Sequence, residues 1–175
     1  MNQRHAHDIT GSGKGERIAF VQSGWHKDIV DCCRQSFTAE MAKLGHPESA
    51  IDLFEVPGSF EIPLQAKLLA KSGRYAAIVA GGLVVDGGIY RHEFVAEAVI
   101  SGLMRVQLDT EVPVISAVLT PQRFHAHDEH QRFFREHFVV KGAEAAQACA
   151  RTIAALRRLR AAAYSGVPGS ATSSG

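Results

Sequence analysis

The stretch from Ala80 to Val95, AGGLVVDGGIYRHEFV, constrains this chain more than any other. An apolar run from Tyr75 to Ala80 leads into paired glycines. A second apolar step, Leu83-Val84-Val85, leads into Gly87-Gly88, and a helical pattern begins just beyond. A buried strand that empties into a glycine loop and then a helix is where α/β proteins bind ligands, outside the carboxyl ends of their strands. An aromatic, a cation, an imidazole and a carboxylate (Tyr90, Arg91, His92, Glu93) stand at the mouth of that helix.

The same alternation runs through the rest of the chain. Arg17 to Gln22 reads as a strand, Asp28 to Leu44 as a helix and Ile51 to Val56 as a second strand. Ser59 to Lys71 has helical spacing, with Pro63 in the first turn, where its missing N–H costs little. The third strand starts at Tyr75, and a helix follows from Arg91 to Leu108. Val112 to Leu119 reads as a fourth strand, with Pro113 near its start pointing to an edge position or to a strand that begins there. A His- and Phe-rich helical segment over 122–138 precedes a separate long helix, Lys141 to Ala163. Right-handed crossovers then give a three-layer α/β/α sandwich on a four-stranded parallel sheet, flavodoxin-like in outline. One domain over 17–163 accounts for the 175 residues, with a polar arm at 1–16 and a disordered tail at 164–175.

Composition excludes several classes of function. A net charge of +1 gives no general attraction to nucleic acid or to an anionic membrane. No apolar stretch is long enough to span a bilayer, and the polar N-terminus has no signal-peptide core. Three cysteines, two of them adjacent at 32 and 33, form no disulfide framework, which suits a reducing cytoplasm. Cys32 and Cys33 read as small packing residues.

In a parallel sheet the loops after the first three strands share one edge. Trp25 and Phe60 from two of them could sandwich a flat heterocycle, although either aromatic taken alone is more often a core residue. Backbone N–H groups at Ser59-Phe60 and Val84-Val85 could read the polar edge of such a ring, and Gly87-Gly88 could cradle a phosphate. His92 reads either as a solvated residue of a first helical turn or, beside a phosphate, as a proton donor and acceptor. Histidines 125, 127, 130 and 137 include one helical pair, but nothing completes a metal site, so no metal is expected. Arg132, Arg135 and Lys141 could supply cations to an anionic substrate.

The segment VPGSFEIP (Val56–Pro63) closely resembles the V-P-G-[AS]-F-E-[IL]-P segment of the 6,7-dimethyl-8-ribityllumazine synthase family. The likeness extends through the third-strand loop, the Pro113–Thr120 strand and the KGAEAA start of the last helix, covering residues 17–160. It is strongest to the divergent second type, with Trp25 where the common type has phenylalanine. The resemblance implies a transferase of riboflavin biosynthesis. That enzyme condenses 5-amino-6-(D-ribitylamino)uracil with 3,4-dihydroxy-2-butanone 4-phosphate through an imine, losing phosphate and water, without a cofactor. By matching position, Trp25 stacks on the pyrimidine, Ser59, Phe60 and Glu61 bind its ring and ribityl chain, and Leu83, Val84 and Val85 line the other side. Ser116 also matches a substrate contact. Gly88 and Ile89 contribute backbone contacts to phosphate, and Lys141 and Glu144 match a charged pair near it.

The family's R-G-x-T-x-H-Y run is here Asp86 to His92, and an ungapped alignment sets Arg91 on the histidine position. His92 is taken as the proton donor because an arginine cannot deprotonate. The segment before Lys141 is longer than usual, which leaves His130 and Arg132 as candidates for the phosphate-binding arginine. The resemblance also implies a homo-oligomer built from pentamers, with sites between subunits and an N-terminal arm that adds a strand to a neighbouring sheet. A decamer is expected, and Phe133, Phe134 and Phe138 are expected at subunit contacts. The altered phosphate loop keeps open a catalytically weakened flavin- or lumazine-binding protein on the same scaffold. A flavodoxin-like module unrelated to riboflavin rests on the alternation alone.

Overall fold

A computed structural model of the chain describes residues 16–88, 91–121 and 128–164, with the backbone alone described at 128–130 and 164. Four strands, β1 (Arg17–Ser23), β2 (Ile51–Val56), β3 (Tyr75–Leu83) and β4 (Val114–Leu119), form one parallel sheet in the order β2-β1-β3-β4. The helices are α1 (Lys27–Lys43), α2 (Ile62–Lys71), α3 (His92–Thr110) and α4 (Asp128–Tyr164), and a 3₁₀ turn, Ser59–Glu61, precedes α2. The expected three-layer α/β sandwich is therefore present. The strand order reverses at β1, so a crevice opens between the carboxyl ends of β1 and β3.

Each layer follows from side-chain spacing. Ile29, Val30, Cys33, Phe37 and Met41 put an apolar stripe on α1, which ends at Gly45 in a left-handed conformation (φ 89°). Together with Phe134, Phe138, Ala145, Ala146, Cys149 and Ile153 of α4, this stripe covers Ile18, Phe20 and Val79 on one face of the sheet. Ile62, Ala66 and Ala70 of α2 and Val99, Leu103 and Val106 of α3 cover Ala19, Val21, Ile78 and Ala80 on the other. Cys33 and Cys149 are core residues, and burial pushes both thiols up to about 12.

Three expectations need correction. Phe134 and Phe138 are buried over α1, and among the three phenylalanines Phe133 alone is exposed. β4 begins at Val114, one residue beyond Pro113, on the edge of the sheet as the proline suggested. The segments over 122–138 and 141–163 are not two helices, because α4 runs unbroken from Asp128 to Tyr164. Gly142 lies inside that helix and is the point where α4 crosses α1. A Cβ there would overlap the Cys33 carbonyl oxygen and stand 2.9 Å from the Phe37 nitrogen. Gly142→Ala should therefore lower stability by about 2 kcal/mol in urea unfolding, since separating two backbones outweighs the helix propensity gained.

At the amino end of the sheet, Asp52 accepts hydrogen bonds from Arg17 (Nε, 2.8 Å) and from the Tyr75 hydroxyl (2.9 Å). The Arg17 guanidinium holds its carboxyl below the ordinary value of 3.8. A depressed carboxyl stabilises the fold above its unfolded-state pKa and loses that contribution as pH falls through the folded one. Asp52→Asn should cost about 1–2 kcal/mol at neutral pH, and the difference from the parent should vanish in acid below 3.8.

Candidate functional site

The loop after β1 is tightly specified. Gly24 N–H donates to the Val56 carbonyl (2.7 Å), which ties the loop to the end of β2. His26 follows with φ 54°, a left-handed conformation that non-glycine residues adopt at a cost of about 1 kcal/mol. Its carbonyl accepts the N–H groups of Ile29 and Val30 at 3.0 Å, so α1 begins there. Between these anchors Trp25 is left 64% exposed. After β2, the Glu61 carboxylate reaches back to the Gly58 N–H (2.8 Å) and closes the 3₁₀ turn. Phe60 projects from that turn, 61% exposed. Two large aromatics standing in solvent at one sheet edge are not core residues.

These loops enclose a cavity of about 330 Å³. Trp25, Ser59, Phe60, Glu61, Leu83, Val84 and Val85 all line it, so one pocket gathers the residues expected around the pyrimidine from the first three loops. The N–H groups of Ser59 and Phe60, in the opening turn, carry no backbone partner among the described residues. The Val84 N–H is committed to the Leu119 carbonyl (2.9 Å), which continues the β3–β4 ladder and leaves the Val85 N–H for a ligand. The sequence reading missed His26, Gly58 and Val95, which also line the pocket. VPGSFEIP contains Gly58, but Val95 falls on the apolar stripe of α3 and carries no separate signal.

The phosphate side is less complete within one chain. Gly88 has φ 72°, and its N–H is held by the Asp86 carboxylate (2.8 Å), so an anion from the chain itself sits at that donor. Ile89 lies outside the described residues. His92, the first residue of α3, is 9% exposed, with Nδ1 3.7 Å from Glu93 Oε2, and it does not line the cavity. The Arg91 guanidinium instead lies over the Phe94 ring, 4.7 Å from its centroid.

The fourth-strand side stands apart from the pocket. Ser116 is exposed on edge strand β4, and Arg132 is exposed beside Glu136 (4.0 Å). Lys141 pairs with Glu144 (3.3 Å) on α4, close enough to α1 for its charge to act on the Cys33 thiol. His130 is on α4 with its side chain outside the described set, and Arg135 is paired with Asp28. Among the described residues no three His, Cys, Asp or Glu side chains gather as a metal site. No helix among them is long and apolar enough to cross a membrane.

Comparison with known proteins gives a consistent result. Residues 15–157 match the 6,7-dimethyl-8-ribityllumazine synthase family. The chain is 65% identical to 6,7-dimethyl-8-ribityllumazine synthase 2 of Pseudomonas syringae pv. tomato, over 85% of this chain and 88% of that one. It is 63% identical to the 6,7-dimethyl-8-ribityllumazine synthase of Rhodococcus erythropolis, over 83% and 94%. It is 60% identical to the synthase 2 of Bradyrhizobium diazoefficiens, over 88% and 92%. With the match spanning every element that builds the pocket, the chain belongs to the 6,7-dimethyl-8-ribityllumazine synthase family.

Proposed function

We propose that the pocket between Trp25, Phe60 and Leu83-Val84-Val85 binds 5-amino-6-(D-ribitylamino)uracil and condenses it with 3,4-dihydroxy-2-butanone 4-phosphate, giving 6,7-dimethyl-8-ribityllumazine, phosphate and water. The observation that carries this reading is the pair of exposed aromatics flanking free backbone N–H groups in a chain of this family. Trp25 and Phe60 supply flat apolar walls, and the N–H groups of Ser59, Phe60 and Val85 face the polar edge of the ring. Attack of the pyrimidine amine on the ketone forms an imine and releases water. Phosphate is then eliminated, and the ribitylamino nitrogen attacks the remaining carbonyl, closing the second ring with loss of a second water. His92 is assigned the proton transfers, and Gly88 with Ile89 the backbone contacts to phosphate. Phosphate must displace Asp86 to reach the Gly88 N–H. No cofactor enters this chemistry.

The active unit is read as a homo-oligomer built from pentamers, with a decamer favoured. Phe60, Leu64 and Leu68 form an exposed apolar stripe that continues along α2, and Ile100, Met104 and Leu108 form another on α3. A second copy docked there would cover both stripes. A neighbour would also bring its Ser116, Arg132, His130 and Lys141 to the open side of the pocket. Edge strand β2 leaves a place for the 1–16 arm of another subunit. The free cysteines suit a cytoplasmic location.

Trp25 is the chain's single tryptophan, so its fluorescence reports on the pocket directly. Titration with the ribitylaminouracil should quench it saturably, and a signal that stays linear in ligand would count against the site. Trp25→Ala should raise the KM for the pyrimidine roughly tenfold, since stacking on a base contributes about 1–3 kcal/mol.

A further inference from the structure

Two hydroxyls beside the carboxyl ends of β1 and β2 are buried. Ser23, the last residue of β1, has 0% exposure and Ser59 has 6%. Among the described residues neither Oγ has a hydrogen-bond partner. Both converge on Gly82 of β3. A Cβ placed there would lie 2.5 Å from Ser59 Oγ and 3.2 Å from Ser23 Oγ, with Ile62 Cδ1 at 3.4 Å as the third neighbour. Strand alternation explains the meeting. Ser23 follows Ala19 and Val21 on the face toward α2, whereas Gln22 points to the opposite face and donates to Asp31. The missing side chain at Gly82 is what lets the Ser59 hydroxyl descend onto the sheet. The Ser23 hydroxyl is the other one that borders that position.

A buried hydroxyl without a partner destabilises a fold, and a second one beside it is not a packing device, because alanine would fill the same space. Ser59 also lines the cavity and opens the turn whose N–H groups face the ligand. We propose that Ser23 is a positioning residue of the pyrimidine subsite. Its hydroxyl is the partner that the Ser59 hydroxyl takes when the pyrimidine seats, and this pins the Ser59–Glu61 turn over Gly82. The N–H groups of Ser59 and Phe60 then hold the direction that reads the ring. The proposal rests on the pyrimidine assignment above and adds to it a residue outside the cavity wall.

The test is a cycle of Ser23→Ala, Ser59→Ala and the double variant, read by Trp25 quenching, by KM for each substrate and by Tm. Ser23→Ala should weaken pyrimidine binding and raise its KM by roughly three- to tenfold, the worth of one hydrogen bond. The KM for the butanone phosphate should not change, and Tm should hold or rise because an unpaired hydroxyl has been removed. The double variant should be no worse than Ser59→Ala alone. An unchanged pyrimidine KM in Ser23→Ala would overturn the proposal, as would strictly additive losses. A fall in Tm with both KM values rising together would reduce Ser23 to packing. If the parent protein itself shows no saturable quenching, the pyrimidine assignment fails; quenching in the parent that Ser23→Ala leaves unaltered removes the Ser23 proposal alone.

Discussion

Replacing Leu68 and Met104 together by aspartate is expected to leave folded single chains that turn over substrate on the order of 10²-fold more slowly. Both side chains are more than half exposed, at 59% and 53%, so the isolated fold loses little when they become polar. In an assembly that covers these stripes, each carboxylate would have to be buried without a partner, at several kcal/mol per copy. Turnover should fail because one chain presents the aromatic walls while its own Ser116, Arg132 and Lys141 lie away from the cavity. Sedimentation should report the chain mass, circular dichroism an unchanged fold, and the assay the loss. Full activity in a confirmed monomer would contradict a site shared between subunits.

The second large effect is expected at His92. His92→Gln keeps a polar side chain that can hydrogen-bond but cannot carry a proton, and should lower kcat by about 10²-fold, the low end for general acid–base catalysis. The KM for the pyrimidine should change far less, because His92 does not line the cavity. The structure separates the two candidates that the sequence places side by side. Arg91 is exposed and stacked on Phe94, while the imidazole of His92 is turned inward. Arg91→Ala should therefore affect kcat less than His92→Gln does. The reverse order of effects would move the proton transfer elsewhere in the loop.

Much of this was legible in the sequence because it is local. Strand–loop–helix alternation fixes the layers, Pro113 marks the edge of the sheet, and VPGSFEIP marks the turn that Glu61 closes onto Gly58. Exposure was harder to read, because it depends on which helix lies above. Trp25 and Phe60 carry no mark of standing in solvent, and nothing local distinguishes Phe133 from its buried neighbours Phe134 and Phe138. The sequence places a break between 138 and Lys141, and Gly142 lies just beyond it. The close approach of α1 turns that glycine into a reason for continuity. The Ser23–Ser59 pair is a property of three strands meeting at Gly82 and has no signature in any one of them.

Formation of the lumazine by this chain can be measured without any variant. The direct measurement is to mix the ribitylaminouracil and the butanone phosphate with the protein and follow lumazine absorbance together with released phosphate. Both should appear in step, faster than in the uncatalysed mixture and in proportion to protein, with the rate lowered by Trp25→Ala at subsaturating pyrimidine. A rate equal to the uncatalysed one, at protein concentrations where Trp25 quenching shows the pyrimidine bound, would mean that the pocket binds the pyrimidine without catalysing the condensation.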